Sequence, residues 1–201
     1  RTIARWKNLH ATNVTQKVIF ILEHFHKNVA NLLGGRAKAM IVTSSRPAAM
    51  RYKLALDRYL QAHSEYQDYR AIVAFSGSLK GSDIRHDTDE VLENEFAGVF
   101  DVAEDKEFTE ANANIGLPTP DLKQAFDRPE YRLMVVANKF QTGFDQPKLC
   151  AMYLDKKIAN EVEVVQTLSR LNRTASGKDT TFVIDFVNDP EWIVSCFRKY
   201  D

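Results

Sequence analysis

Apolar and polar positions alternate along the chain with two different periods. Residues 14–33 place Val18, Leu22, Phe25, Val29 and Leu32 at steps of four and three, which predicts an amphipathic helix that Gly34-Gly35 ends. Five short apolar runs have the character of buried strands: residues 39–43, 71–75, 133–137, 150–154 and 181–185. Apolar runs typical of strands thus alternate along the chain with longer segments, and this order predicts strands separated by helices.

Two further helices fit between these strands. One begins at Ser45 or Arg46, has Pro47 in its first turn, and is predicted to bury Ala49, Tyr52, Leu56 and Leu60. The other covers residues 161–172. Apolar strands that alternate with helices predict an α/β fold, with a mainly parallel sheet and helices on both of its faces. Ligand sites in such folds lie at the carboxyl ends of the strands, so we expect the polar clusters that follow strands to gather there.

Composition adds few constraints. A chain of 201 residues with 44% hydrophobic residues is expected to form one domain. It contains neither an apolar run of about 18 residues nor a signal peptide, so no membrane association is expected. Cys150 and Cys196 lie in apolar contexts, which favours a reducing cytoplasm. The chain does not begin with Met, which suggests a piece of a longer protein.

Charge is distributed unevenly. Residues 1–38 carry seven basic residues and one acidic residue, a pattern that fits either a nucleic-acid surface or an ordinary solvated helix face. Residues 83–130 carry fourteen acidic and four basic residues. We interpret residues 78–130 as an acidic insertion with one or two short helices, and expect it to lie away from any nucleic acid because it would repel phosphate.

The helix at 161–172 carries the first candidate site. At 100° per residue, Gln166, Arg170 and Arg173 fall within about 60° of one another. Val164, Leu168 and Leu171 fall on the opposite side, which predicts that the helix packs through them and presents the amide and both guanidinium groups. Arginines can hold phosphate oxygens through paired hydrogen bonds. On spacing alone, an exposed helix face with two arginines is the simpler interpretation.

The loop after the strand at 133–137 is the second candidate. Its Gly143 would allow a ligand to approach the backbone, Asp145 would accept hydrogen bonds from a ribose hydroxyl, and Thr142 would contact phosphate. A plain connecting loop with a turn glycine explains the same residues when they are considered alone.

Together, the two segments resemble a known pattern. Thr142-Gly143-Phe144-Asp145-Gln146-Pro147, then Tyr153-Leu154-Asp155-Lys156-Lys157, then Gln166-Thr167-Leu168-Ser169-Arg170-Leu171-Asn172-Arg173 resemble motifs V and VI of superfamily 2 helicases. The sequences of these segments are most similar to those of the motor (R) subunit of type I restriction enzymes, and the resemblance covers residues 38–188. The resemblance implies a RecA-like second motor lobe of an ATP-dependent DNA translocase.

The resemblance also implies roles for individual residues. Gln166, Arg170 and Arg173 match motif VI, in which the arginines contact ATP during hydrolysis. Gly143 and Asp145 match the motif V positions that couple the nucleotide to the nucleic acid. Backbone contacts to duplex DNA are implied for Lys139 and Thr142 of motif V, for Thr43, Ser44 and Arg46 at the motif IV position, and for Ser76 at the next strand end. Ser169 in place of glycine and Thr142 in place of arginine depart from the general superfamily pattern and agree with the R-subunit pattern.

The chain lacks the glycine-rich P-loop that binds ATP and Mg²⁺. Ser176-Gly177-Lys178-Asp179 has no preceding glycine at the required position, so we interpret it as a loop. ATP with Mg²⁺ is therefore expected to be held by a preceding RecA-like lobe, and this chain alone is expected to be inactive. His24 and His26 have no third ligand nearby, so no metal site is predicted.

The predicted organisation has three parts. Residues 1–37 are interpreted as a helical connection from the preceding lobe, residues 38–190 as the RecA-like lobe, and residues 191–201 as the start of a following helix. The resemblance implies modification and specificity subunits as partners. Two other interpretations stay open: a lobe of another superfamily 2 helicase or remodeller, and a non-catalytic α/β interaction module.

Overall fold

One sheet of six parallel strands forms the centre of the structure, a computed structural model that describes residues 3–8, 13–85, 94–140 and 144–199. The strands of the described residues are β1 (Ile3–Asn8), β2 (Lys38–Thr43), β3 (Arg70–Ala74), β4 (Ser78–Lys80), β5 (Glu107–Thr109), β6 (Tyr131–Ala137), β7 (Leu149–Asp155) and β8 (Thr180–Asp185). The sheet order is β1-β8-β7-β2-β6-β3, and β4 and β5 form a separate antiparallel pair. All five predicted strands are present, within two residues at each end.

Helices cover both faces of this sheet, as predicted. They are α1 (Val14–His24), α2 (Leu32–Gly35), α3 (Arg46–Ala62), α4 (Gly81–Arg85), α5 (Glu110–Ala113), α6 (Leu122–Asp127), α7 (Glu161–Leu168) and α8 (Pro190–Arg198), and α1 continues into a π-helical turn over Phe25–Val29. One core lies between the sheet and α1 and α3. The other lies between the sheet and α6, α7 and α8. Among the described helices, none combines the length and apolar character that a membrane crossing requires.

The starts and ends of the first helices follow their sequence signals. The side chain of Ser45 accepts a hydrogen bond from the backbone nitrogen of Ala48 and caps α3, and Pro47 lies in its first turn. The four residues predicted to be buried in this helix are buried: Ala49, Tyr52, Leu56 and Leu60. The helical segment after β1 ends at Gly34 and Gly35, which have positive φ angles of 63° and 81°.

Residues 1–37 differ from their prediction as a helical connection. Ile3–Asn8 form a strand that pairs in parallel with β8 at the edge of the sheet. An edge strand with alternating charges lacks the apolar run that marks a buried strand, so the pattern gave no signal for it. The following helix is part of the core, because Val18, Ile21 and Leu22 are fully buried.

Two of the basic residues of this segment, Lys17 and Lys38, make contacts within the domain. Lys17 pairs with Asp155 at the end of β7 at 3.1 Å, and both side chains are mostly buried. Lys38 is buried at the start of β2, where its ammonium donates to the carbonyl oxygens of Arg128 and Tyr131. Burial lowers the pKa of Lys38 to about 7. The ammonium groups of Lys17 and Lys38 therefore make contacts that hold elements of this domain together.

The insertion closes the open edge of the sheet at β3. Asn114, which follows α5, accepts from the Val73 nitrogen at 2.9 Å and donates to the Val73 oxygen at 2.7 Å. One buried side chain thus pairs with both backbone groups of an edge-strand residue, as a neighbouring strand would. The described part of the insertion contains three short α-helices and the β4–β5 pair, whereas the sequence predicted one or two helices and no strands.

Replacing Asn114 by alanine is expected to lower the free energy of unfolding by about 3 kcal/mol, because buried backbone groups of Val73 and Glu110 lose their partner. Urea denaturation of the 201-residue chain measures this change. Asn28→Ala is the control, since Asn28 is exposed and its side chain donates to the helical carbonyl oxygen of His24. Equal, small losses for both variants would contradict the role given to Asn114.

Candidate functional site

The candidate residues separate into two places. Three loops follow β2, β3 and β6, which are neighbours in the sheet, so their carboxyl ends lie side by side. We call residues 44–46, 76–77 and 138–140 the carboxyl-edge loops. The loop after β6 then returns to the amino end of β7, and it carries Asp145 away from this edge. The expectation that every polar cluster gathers at the carboxyl edge is therefore wrong for Asp145.

Two of the carboxyl-edge loops are in direct contact. Arg46 is exposed, and its Nη1 donates to the carbonyl oxygen of Ser76 at 3.3 Å. Gly77 has a φ angle of 78°, and a Cβ atom there would lie 2.6 Å from the Arg46 guanidinium. Glycine therefore allows the arginine to lie over the turn. Ser44 and Ser76 are exposed beside it, so three of the predicted nucleic-acid contacts are accessible.

Thr43 does not belong to this accessible group. It is fully buried, and its hydroxyl donates to the carbonyl oxygen of Val136 at 2.8 Å. The hydroxyl joins β2 to β6 at the end of both strands. The buried hydroxyl does not agree with the predicted contact to nucleic acid. The position of a residue in the sequence does not reveal whether its side chain at a strand end is buried or exposed.

The third carboxyl-edge loop is held by an ion pair. The ammonium of Lys139 lies 2.9 Å and 2.7 Å from the two carboxylate oxygens of Glu110 at the start of α5. Asn138 and Phe140 on either side of it have positive φ angles of 51° and 59°. Thr142 and Gly143 lie outside the described residues, so their predicted contacts stay predictions.

Asp155 of the Tyr-Leu-Asp-Lys-Lys segment has a structural environment. Its carboxylate accepts from the Tyr52 hydroxyl at 2.8 Å and pairs with Lys17. Burial, followed by the Asp155 charge, raises the pKa of Tyr52 well above its ordinary value, so the phenol remains a donor. The aspartate thereby fixes α1 and α3 to the end of β7.

The second place lies at the end of α7, and its geometry corrects the helical-wheel prediction. Val164, Leu168 and Leu171 are buried as predicted, and Gln166 and Arg173 are exposed. Arg170 is buried instead of exposed. From Ser169 to Asn172 the chain forms a 3₁₀ helix, in which each residue turns further than the 100° assumed. The tighter turn brings Arg170 toward the sheet.

The guanidinium of Arg170 lacks the hydrogen bonds that burial normally requires. Its Nη1 lies 3.5 Å from the Met40 sulfur, a weak acceptor. Its Nη2 is buried and has no hydrogen-bond partner within the described part of the chain. Burial lowers the pKa of Arg170 to about 10, which still leaves the group charged at neutral pH. A charged group that is buried and unsatisfied costs stability, so its presence calls for a functional explanation.

Arg173 has the opposite environment. It is exposed and pairs with Asp145 through Nε and Oδ1 at 3.4 Å, so the structure brings together two of the predicted nucleotide contacts. Lys178 joins the same two segments, because its ammonium donates to the carbonyl oxygens of Arg173 at 2.8 Å and Pro147 at 3.1 Å. We call Asp145, Arg170 and Arg173 the arginine site. Lys178 had been interpreted only as part of a loop, and its isolated Gly-Lys pair gave no signal of this role.

The arginine site lies toward the amino ends of the strands. Pro147 precedes Lys148, whose carbonyl oxygen accepts from the backbone nitrogen of Lys38 at the start of β2. The Asp145–Arg173 pair therefore lies toward the amino ends of the strands, whereas the carboxyl-edge loops lie at their carboxyl ends. Sequence reasoning also missed Glu110, because nothing within the acidic insertion distinguishes this carboxylate from its neighbours.

A parallel sheet of this order, covered on both faces by helices, has a RecA-like fold. A solved structure of Mss116p DEAD-box helicase domain 2 bound to an RNA duplex has the same fold, with a TM-score of 0.52, 13% identity, and coverage of 98% of this chain and 58% of that chain. A family model described as type I restriction enzyme subunit R domain 3 matches residues 35–188. The chain belongs to this type I restriction enzyme R-subunit family.

Two curated relatives from Methanocaldococcus jannaschii agree with this assignment. The chain is 24% identical over 182 residues to the type I restriction enzyme MjaVIIP endonuclease subunit, covering 89% of this chain. It is 28% identical over 182 residues to the MjaIXP endonuclease subunit, covering 90% of this chain. The matches span only 15% and 14% of the two relatives' lengths.

Proposed function

We propose that this domain is the second motor lobe of an ATP-dependent DNA translocase within a type I restriction enzyme. In this proposal the arginine site contacts ATP that a preceding lobe holds with Mg²⁺, and the carboxyl-edge loops contact the backbone of duplex DNA. The preceding lobe of the same protein and the modification and specificity subunits are the proposed partners. This chain alone is expected to hydrolyse no ATP, because it has no P-loop.

The unsatisfied guanidinium of Arg170 is the observation that carries the proposal. Its buried Nη2 has no partner in the described residues, and exposed Arg173 lies three positions further along the chain, directly after the 3₁₀ helix. A phosphate group offers several anionic oxygens and would satisfy such donors. Arginines aimed at the transferred phosphoryl group stabilise the charge that develops during hydrolysis. ATP, when bound with Mg²⁺ on the preceding lobe, would supply the phosphoanhydride that is cleaved.

The carboxyl-edge loops supply the nucleic-acid half of the proposal. Ser44 and Ser76 offer exposed hydroxyls, and Arg46 offers a guanidinium fixed above Gly77. Hydroxyls and guanidinium groups are common contacts to phosphate oxygens and carry no sequence information. This agrees with a motor that moves along DNA of any sequence. The relatives' description as restriction endonuclease subunits favours DNA over RNA as the nucleic acid.

A direct test uses the full-length subunit and a labelled DNA duplex. Arg46→Ala is expected to weaken binding and to reduce the slope of log affinity against log salt by about 1, because one phosphate contact is lost. Arg128→Ala is the matched control, since it removes an exposed arginine from the loop before β6 at the amino edge. The slope should stay unchanged in the control.

Stimulation of ATP hydrolysis distinguishes this proposal from its alternatives. Duplex DNA should stimulate hydrolysis by the full-length subunit, and RNA should not. Stimulation by RNA alone would favour another superfamily 2 helicase. Failure of any nucleic acid to bind or stimulate would favour a non-catalytic interaction module and would refute the proposal.

A further inference from the structure

Glu110 joins two of the carboxyl-edge loops to the insertion. Its Oε2 accepts a hydrogen bond from the backbone nitrogen of Phe75, directly before Ser76, at 2.9 Å. The same carboxylate binds the Lys139 ammonium through both oxygens. A single side chain of the insertion therefore contacts the end of β3 and the loop after β6, where the proposed function places phosphate contacts.

The carboxylate is held firmly in this position. Glu110 is the first residue of α5, which is capped by reciprocal hydrogen bonds between Thr109 and Asn112. Asn114, at the other end of the same helix, is fixed to Val73. The side chains of Glu110 and Lys139 are only 24% and 28% exposed, so this pair is more shielded from solvent than most surface ion pairs.

The backbone around Lys139 is strained on both sides. Asn138 and Phe140 have left-handed φ angles, and Leu33 is the only other non-glycine residue with a positive φ within the described ranges. Such conformations persist where the surroundings impose them, and they concentrate in segments that change state. The ion pair with Glu110 anchors the side chain that lies between these two residues.

We propose that Glu110 is an internal competitor of nucleic-acid phosphate for Lys139. A carboxylate and a phosphate offer the same ligand, an anionic oxygen, to the ammonium group. Without nucleic acid, Glu110 occupies Lys139 and holds its loop in the strained conformation. When the backbone binds, phosphate takes the ammonium and the carboxylate is released to solvent. The insertion thereby regulates how tightly the domain holds nucleic acid.

This inference rests on the proposed function and predicts a specific dependence on salt. Because Lys139 exchanges one anion for another, it adds no net counterion release in the wild type. Glu110→Gln keeps an oxygen for the Phe75 nitrogen but removes the competing charge. In the full-length subunit with a fluorescein-labelled duplex, E110Q is expected to bind roughly fivefold more tightly at low salt, with a salt slope steeper by about 0.9.

Two controls separate competition from general charge effects. Glu104→Gln removes an exposed acid of the same insertion, which pairs with Arg85 at 3.7 Å, and it should leave the slope unchanged. Lys139→Gln should weaken duplex binding, because the ammonium that takes the phosphate is lost, and it should cancel the steeper slope of E110Q when the two changes are combined. The Lys139 variant also tests the inference independently of whether E110Q folds.

The outcomes are distinct. A steeper slope in E110Q alone, reversed by Lys139→Gln, supports the competition. Equal slopes for E110Q and E104Q, weaker binding by E110Q, wild-type binding by Lys139→Gln, or a steeper slope that persists in the double variant would each overturn it while DNA binding itself persists. Absence of duplex binding by the wild type would instead overturn the proposed function on which the inference depends.

Discussion

Replacing Arg170 by methionine is expected to stabilise the domain and to abolish its contribution to ATP hydrolysis. The guanidinium is buried beside Met40 with one nitrogen unsatisfied, so an apolar side chain of similar length removes a desolvated charge. We expect the free energy of unfolding to rise by about 1–3 kcal/mol. DNA-stimulated ATP hydrolysis by the full-length subunit should fall on the order of 10³-fold, because a charge that stabilises phosphoryl transfer is lost.

Arg132 provides a matched control for this variant. It is also a buried arginine, but its guanidinium donates to the carbonyl oxygens of Ala37 at 2.8 Å and Ala30 at 2.7 Å. Arg132→Met should therefore destabilise the chain, while Arg170→Met stabilises it. Urea denaturation of the 201-residue chain measures both. Lower stability of Arg170→Met together with undiminished hydrolysis would show that Arg170 serves packing alone.

Replacing Arg173 by alanine should produce the same loss of hydrolysis with no change in stability. Arg173 is exposed, and its pair with Asp145 is open to solvent on both sides, so the pair contributes little to folding. Its expected function is a trans-acting contact to the phosphate of ATP. DNA-stimulated hydrolysis by the full-length Arg173→Ala subunit should fall on the order of 10³-fold, and urea denaturation should give wild-type values.

Arg198→Ala serves as the control for Arg173, because it removes an exposed arginine from the end of α8 and leaves the arginine site intact. It should hydrolyse ATP at the wild-type rate. Wild-type turnover by Arg173→Ala would refute its assignment to the nucleotide. Measurements on both variants would thus distinguish two kinds of functional charge. The buried charge of Arg170 lowers the free energy of unfolding, whereas the exposed charge of Arg173 leaves it unchanged.

The fold was largely predictable because buried positions form a record in the sequence: apolar residues recur with the period of a helix or fill the short run of a strand. The five predicted strands, the cap at Ser45 and the buried face of α7 all follow from that record. It fails where an element is only partly buried. β1 lies at a sheet edge, and β4 and β5 pair outside the main sheet, so none of them has a long apolar run.

The site was less predictable than the fold for two physical reasons. Helical spacing assigned Arg170 to the exposed face, and the change to a 3₁₀ turn at Ser169 moved it into the core. The contacts of Glu110 and Asn114 join residues that are 29 to 41 positions apart, and no local pattern records such pairs. The family resemblance predicted the motif positions, but it did not reveal which of their residues are buried.

Lys178 has a mechanical consequence for the proposed motor lobe. Its ammonium donates to the carbonyl oxygens of Pro147 and Arg173, and burial lowers its pKa. The ammonium therefore links the segment that carries Asp145 to the segment that carries Arg173. If the two lobes close around a nucleotide, Asp145 and Arg173 would travel together, and a displacement imposed on either segment would be transmitted to the other without a change in the helix between them.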